Sequence, residues 1–343
     1  MQHTPTIVRL DLNENPFGPS PLALKAMRVA LDESHFYPEN SARGLRDKLA
    51  QIHQIERRQI IVAGGLTDLL GVIARTFLAP GQKAITSEKS FIAYRTATEN
   101  AGGRLVEAPM REDAFDLPSL ARAIDRDTRI VFLANPNNPT GTVVTPREIE
   151  QFLGEVPSHV ITVLDEAYYD YAQHFAALRG VEYSRSLDYV RRGRNVIVLR
   201  TFSKAHGLAG MRVGYGIAPA ELTAKIRSHR TIYNVSSVAQ AGALAALDDT
   251  GHVRRAVENN AHEAEPLRDA LCKLGYSIPI PWGNFLYCEL RENSLAIAGR
   301  LEQEGVAVRP LHEYGAPNAI RITIGKPDQN AVLLSAFRKV MHR

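Results

Sequence analysis

From Ile60 to Ile217, short apolar runs rich in β-branched residues alternate with longer helical patterns. The runs are Ile60-Ile61-Val62, Lys83 to Thr86, Arg104 to Glu107, Arg129 to Ala134, Val160 to Leu164, Asn195 to Leu199 and Val213 to Ile217. Between them lie segments of 3.6-residue period such as Thr67 to Phe77 and Pro146 to Val156. Ile130-Val131-Phe132-Leu133-Ala134 is apolar at every position. Both faces of that strand must therefore be covered, as in a mostly parallel sheet between two layers of helices. Beyond Leu247 the texture changes. Val253 to Leu274 reads as a long helix, and isolated strands are expected at Asn284 to Leu290, Val306 to Arg309 and Ala319 to Ile324. The first 35 residues read as loop plus one helix. The pattern thus predicts a large α/β domain over 36–247 and a smaller α+β domain combining 1–35 with 248–343.

Composition narrows the function classes. The 343 residues carry 41 Lys+Arg and 37 Asp+Glu, a formal net charge of +4. With 45% hydrophobic and 23% charged residues the chain is ordinary globular protein, which excludes disorder. The densest basic run, Arg191-Arg192-Gly193-Arg194, is short and sits in a predicted loop, so no basic face for nucleic acid is expected. No apolar run approaches the roughly 18 residues of a membrane span. The longest uncharged stretch, Thr231 to Leu247, carries Asn, Ser and Gln and reads as a loop entering a buried helix. Cys272 and Cys288 stand sixteen apart with no Cys or His at metal spacing, so neither a zinc site nor a disulfide framework is expected. Met1-Gln2-His3-Thr4-Pro5 lacks a charged-then-apolar export pattern, and a reducing cytoplasm is the expected setting.

Candidate chemistry collects at the ends of the strand patterns, where open α/β sheets bind ligands. Lys204, in Thr201-Phe202-Ser203-Lys204, follows the strand Asn195 to Leu199. A desolvated lysine there can form a Schiff base with an aldehyde, and the flanking hydroxyls can donate to a phosphate. Arg212 lies in the glycine-rich Gly207 to Gly214 and offers a bidentate grip on phosphate. Asp165 ends another buried strand, where a carboxylate needs a partner such as a protonated ring nitrogen; Tyr168 follows three residues on. Asn135-Pro136-Asn137-Asn138-Pro139-Thr140-Gly141 is a loop shaped by proline and glycine that would hold Asn138 at the same edge. Ala63-Gly64-Gly65-Leu66-Thr67 opens a helix whose free N–H groups suit a phosphate, yet no Walker lysine follows. Each feature alone also reads blandly, as a surface lysine, a solvated arginine, a capping aspartate or a plain turn.

Taken in order, these motifs resemble the pyridoxal-phosphate (PLP) aminotransferases of fold type I, class I/II. Within them the chain is most similar to the histidinol-phosphate aminotransferase family and its aromatic amino-acid relatives. The resemblance rests on Leu12-Asn13-Glu14-Asn15-Pro16-Phe17-Gly18-Pro19-Ser20-Pro21, Tyr37-Pro38, Asn137 to Gly141, Asp165-Glu166-Ala167-Tyr168, Arg200 to Ala205, Tyr233-Asn234-Val235-Ser236 and Ile320-Arg321-Ile322-Thr323-Ile324-Gly325. It implies a large domain with a mostly parallel seven-stranded sheet, a smaller α+β domain, and PLP as cofactor.

The resemblance also implies roles. Lys204 would hold PLP covalently and shuttle the substrate α-proton; Asp165 would pair with the pyridine nitrogen. Tyr168 and Asn138 would bind the ring oxygen, and Phe91 would stack on the ring. Leu66 and Thr67 (through the backbone), Thr201, Ser203 and Arg212 would hold the phosphate. Tyr37 would reach the cofactor of a second subunit, implying a homodimer with shared sites. Arg321 would bind the substrate carboxylate and Arg309 a substrate phosphate, although a strand arginine on a solvated face and a salt-bridged strand end are their local readings. Tyr233 and Asn284 are further substrate-pocket candidates. Two positions depart from the family pattern: Leu66, where relatives often have Ser or Ala, and His206, where they usually carry an aromatic. The expected reaction is ping-pong transamination between glutamate/2-oxoglutarate and histidinol phosphate/imidazole-acetol phosphate. An aromatic amino-acid aminotransferase, an amino-acid-phosphate decarboxylase and a PLP-binding regulator are the alternatives.

Overall fold

The computed structural model describes residues 7–341. Met1 to Thr6, including the opening segment read for an export signal, lie outside the described residues, as do His342 and Arg343. All the apolar runs from Ile60 onward become strands: β2 (Ile60–Ala63), β3 (Lys83–Ser87), β4 (Arg104–Ala108), β7 (Thr128–Ala134), β8 (Ile161–Asp165), β9 (Val196–Thr201) and β10 (Gly214–Ile217). They form one seven-stranded sheet in the order β2-β10-β9-β8-β7-β3-β4. Only β10 runs antiparallel to its neighbours β2 and β9; the other pairs are parallel. Helices α2 (Arg43–His53), α3 (Leu66–Phe77), α4 (Ala93–Asn100), α5 (Leu117–Arg122), α6 (Pro146–Glu155), α7 (Tyr169–Arg179), α8 (Ser186–Arg191), α9 (Ala220–His229) and α10 (Ser237–Ala246) connect and cover it. Sandwiching explains why β8 and β9 are buried at every position. Local signals set helix ends: α6 starts on Thr145, whose side chain forms a reciprocal capping box with Glu148, with Pro146 next.

A second sheet, β1-β12-β13-β11, is built from β1 (Val8–Leu10), β11 (Phe285–Glu289), β12 (Val306–Pro310) and β13 (Ala319–Thr323). The long α11 (Thr250–Lys273), with α12 (Ser294–Gln303) and α13 (Pro327–Met341), packs around it and encloses a separate apolar core. Two short strands, β5 (Met110–Arg111) and β6 (Ala114–Phe115), form a hairpin beside the large sheet. Two features depart from the sequence expectation. The opening loop contains β1, which pairs in parallel with β12. The helix α1 (Pro21–Leu31), expected with the smaller domain, instead buries Ala23 and Met27 in the large core and packs on α10. Its apolar face matches α10, and nothing in its own residues records that choice.

Strand register brings the candidate chemistry to one edge. Ala134 is level with Asp165, and Thr201 is level with Gly214, which in turn is level with Ala63. The loop after β9 is pinned from outside. Gly207 has φ +69°, its N–H donates to the Lys204 carbonyl at 2.9 Å, and a Cβ there would collide with the Gly18 carbonyl. Gly315 shares a left-handed φ of +75° but faces open space. Gly207→Ala should therefore lose roughly 2 kcal/mol or more from backbone strain plus steric conflict, and Gly315→Ala only about 1 kcal/mol. Urea unfolding midpoints check this; equal losses would show that the Gly18 contact gives way freely.

Candidate active site

A cavity of about 280 Å³ opens at this edge. Leu66, Thr67, Phe91, Asn138, Asp165, Tyr168, Thr201, Ser203, Lys204, Arg212, Arg309 and Arg321 all line it. At one end is the start of α3. Its N-cap, Gly65, has no side chain to satisfy the first N–H groups, so they remain available to an anion. Arg212 presses against this turn: a Cβ on Gly65 would lie 2.6 Å from Arg212 Nη2. Glycine at position 65 thus makes room for the guanidinium. The hydroxyls of Thr201 and Ser203 line the same cavity.

At the other end stand Asp165 and Lys204. Asp165 Oδ1 accepts the Ala167 N–H at 3.1 Å, and Oδ2 accepts the Tyr94 hydroxyl at 2.9 Å. Burial pushes this carboxyl up to about 6 despite those bonds. Lys204 Nζ donates to the carbonyls of Leu12 and Asn13 at 3.1 and 3.2 Å. Burial first, then the Arg321 and Arg212 guanidiniums, lower its ammonium to about 7, against opposing pulls from Glu14 and Asp165. The result is an amine that is half neutral near pH 7, as a nucleophile or proton carrier requires.

The loop after β7 accounts for its three asparagines. Asn135 exchanges hydrogen bonds with the backbone of Val144, and Asn137 bonds the Lys89 carbonyl, Thr140 and Ser90. These two hold the loop's shape, and Asn138 is left facing the cavity. Its Oδ1 accepts from Arg321 Nη1 at 2.5 Å, so its amide protons stay free. Tyr168 accepts from Asn13 Nδ2 at 2.9 Å, which leaves its own proton to donate; burial raises its hydroxyl to about 12. Arg321 also donates Nη2 to the Asp11 carbonyl at 2.9 Å, while its buried Nε has no partner among the described residues. Arg309 combines both readings entertained for it: it lines the cavity and pairs with Glu313 at 2.7 Å.

Three expected residues stand elsewhere. Tyr37 is 84% exposed, and its ring stacks on Tyr233 at 4.9 Å, outside the cavity. Both lie outside the helices and strands. Asn284 is buried behind the wall, where it donates to the Asn13 carbonyl at 3.0 Å. His206 lines a second cavity beside Phe202, not this one. Sequence reasoning missed Tyr94, the Leu12 and Asn13 carbonyls, and Tyr314. Tyr94 carried no distinguishing signal, since an aromatic in the first turn of a helix reads as core.

An anion cradle at one end, and a buried carboxylate and a lysine of lowered pKa at the other, fit PLP: phosphate, pyridine nitrogen and aldehyde each meet a suitable group. The sequence model of the family described as aminotransferase class I and II matches residues 5–337. Histidinol-phosphate aminotransferase 2 of Pseudomonas fluorescens (strain Pf0-1) is 41% identical over 98% of this chain and 90% of its own. Histidinol-phosphate aminotransferase of Moorella thermoacetica is 38% identical over 98% and 86%. The crystal structure of histidinol-phosphate aminotransferase from Sinorhizobium meliloti in complex with pyridoxal-5'-phosphate superposes with a TM-score of 0.89 at 28% identity, covering 99% and 92%. Fold and site define a PLP-dependent enzyme of fold type I. The chain belongs to the class I and II aminotransferases.

The lowered lysine pKa is directly testable. Only the neutral amine attacks an aldehyde, so the apoprotein should capture PLP covalently at a rate that rises through about pH 7, where Lys204 titrates. An ordinary lysine would place that rise near 10.4. Stopped-flow absorbance checks it, and a rise centred above about 9 would refute the burial argument.

Proposed function

We propose that this aminotransferase exchanges an amino group between glutamate/2-oxoglutarate and histidinol phosphate/imidazole-acetol phosphate in two alternating half-reactions. The observation that carries the substrate reading is the register of the small sheet, in which Arg309 stands directly opposite Arg321 on antiparallel strands. Two like charges on one face repel, an arrangement that destabilises a sheet unless anions compensate. Asn138 and the Asp11 carbonyl anchor Arg321, and Glu313 anchors Arg309, so the two guanidiniums are held apart and ready. Such a pair suits substrates that present a carboxylate in one half-reaction and a phosphate in the other. The names of the similar relatives support the same reading.

When bound, PLP supplies an electron sink that acidifies the substrate's α-C–H bond. The α3 N–H groups at Leu66 and Thr67, with Thr201, Ser203 and Arg212, would hold its phosphate. Asp165 would hold the pyridine nitrogen, and the free donors of Asn138 and Tyr168 would hold the ring oxygen. Phe91 would cover the ring face. Lys204 Nζ takes the α-proton while neutral and returns it once charged, a task suited to its pKa near 7. Arg321 orients the substrate. Protonation of Lys204 and then of Asp165 removes this chemistry as pH falls through about 7 and about 6.

The decisive comparison is kcat/KM for imidazole-acetol phosphate against phenylpyruvate with glutamate as donor. The phosphate compound should win by at least about tenfold, and Arg309→Leu should erase most of that preference. Phenylpyruvate winning would make the enzyme an aromatic amino-acid aminotransferase.

Assembly as a homodimer belongs to the same proposal. Phe36, Tyr37, Ile232 and Tyr233 are exposed, the tyrosines already stacked on each other, and together they form an apolar patch suited to a second copy. Tyr37 would there complete the neighbour's phosphate site. Cys272 and Cys288, both free thiols, suit a reducing cytoplasm. Sedimentation velocity should show a dimer, and Phe36→Asp with Ile232→Asp should produce monomers with weakened PLP binding. A wild-type monomer would sink the shared-site reading.

A further inference from the structure

We infer that Tyr94 is a positioning residue that holds Asp165 ionised and correctly turned, and through it sets how firmly the site grips the pyridine nitrogen of its cofactor. The inference rests on the PLP assignment and is independent of which acceptor the enzyme prefers. Tyr94 is fully buried at the start of α4, on the opposite side of Asp165 from the Ala167 N–H. Its ring lies flat on Phe132, with centroids 4.7 Å apart and planes 1° from parallel, and meets Phe91 edge-on at 5.7 Å. Phe132 belongs to β7, the strand beside Asp165's own, and Phe91 lines the cavity. The hydroxyl is therefore aimed by a rigid aromatic stack and not by a mobile side chain.

Packing alone explains an aromatic here but not a tyrosine. A buried hydroxyl without an acceptor is costly, and the Tyr94 hydroxyl donates to one described group, Asp165 Oδ2. The bond is charge-assisted when Asp165 is ionised, so it favours the carboxylate over the acid. That bias matters because other forces run against it. Burial and the adjacent Glu166 push the Asp165 carboxyl upward, whereas Tyr94, the Ala167 N–H and Lys204 pull it downward. The balance lies near 6, only slightly below neutral pH. Without the Tyr94 donor, Asp165 would titrate across neutrality, and a protonated carboxyl can no longer favour a charged ring nitrogen. Tyr94's own proton stays in place, since its ionisation is pushed well above the ordinary tyrosine value by burial and by Asp165.

Tyr94→Phe keeps the ring stack and removes only the donor. Apoprotein is titrated with PLP by absorbance from about pH 5.5 to 8.5, using wild type, Tyr94→Phe, Asp165→Asn and the double variant. In Tyr94→Phe the acid limb of PLP affinity should move up by about one pH unit, with binding about twofold weaker at pH 7 and about eightfold weaker at pH 5.5. The absorbance of the bound cofactor should change its pH dependence in step. With Asp165→Asn already present, adding Tyr94→Phe should alter affinity by less than about twofold, because the two positions act as one unit. A purely structural tyrosine would instead weaken binding equally at every pH and in both backgrounds, and that result overturns the inference. Wild type that fails to titrate at all would overturn the cofactor assignment, and this role with it.

Discussion

Asn13 joins two hydrophobic cores and the reactive lysine through a single buried kink. Its φ of 56° is a conformation that asparagine tolerates better than most residues. From that kink its N–H donates to Thr323 in the small sheet, its side chain donates to Tyr168 at the large sheet's edge, and its carbonyl accepts from Lys204 and Asn284. Each such bond contributes on the order of 1 kcal/mol net, but a broken one strands a buried polar group at greater cost. The segment from β1 to Asn15 is thus fixed at both ends, and it roofs the lysine. The strap carbonyls favour a charged Nζ, while burial and two guanidiniums favour a neutral one. The balance near 7 shows that desolvation and like-charge repulsion outweigh the two acceptors. The same strap carries Asp11 to Arg321, so the lysine and this cavity-lining arginine are placed by one piece of chain.

This dependence explains what could be read from the sequence. A strand buried on both faces announces itself by composition, and all the apolar runs of the large sheet did so. Chemistry at strand ends was legible for the same reason, since a polar residue that interrupts a buried run needs a purpose. Asp165, Lys204 and Asn138 were found that way. β1 was not, because three residues carry no period and its partner β12 is some 300 residues away. Tyr94 was hidden among helical residues, where an aromatic reads as core; only the Asp165 contact separates it from Phe132 beneath it. Asn284, expected in the substrate pocket, is buried beside the cavity lining and bonds the Asn13 carbonyl of the strap. Sequence order cannot tell a wall from its buttress when both are polar and buried. Tyr37 and Tyr233 face outward in one chain, and the role proposed for them requires a second copy.

Charge follows a similar logic. Many arginines at the surface neutralise a nearby carboxylate, as Arg57 does with Asp47 and Arg191 with Asp188, and such pairs are worth little. The buried Arg200 is also spoken for, paired with Glu166 at 2.9 Å and laid over the Tyr169 ring. Arg321 differs. It is 5% exposed, and among the described residues its guanidinium touches an amide and a carbonyl rather than a carboxylate and its Nε is unpaired. A buried cation without a counter-ion is expensive, and the repulsion reaches Lys204 as a lowered pKa. The protein maintains this imbalance through a cross-strand register that also brings in Arg309. In the proposed reaction an anionic substrate would remove it: its arrival would supply the missing negative charge and lessen the repulsion felt at Lys204 Nζ. Substrate binding should then make the lysine more basic at the stage when it must take up the α-proton. On that proposal the uncompensated arginine would tie the basicity of the lysine to the presence of substrate.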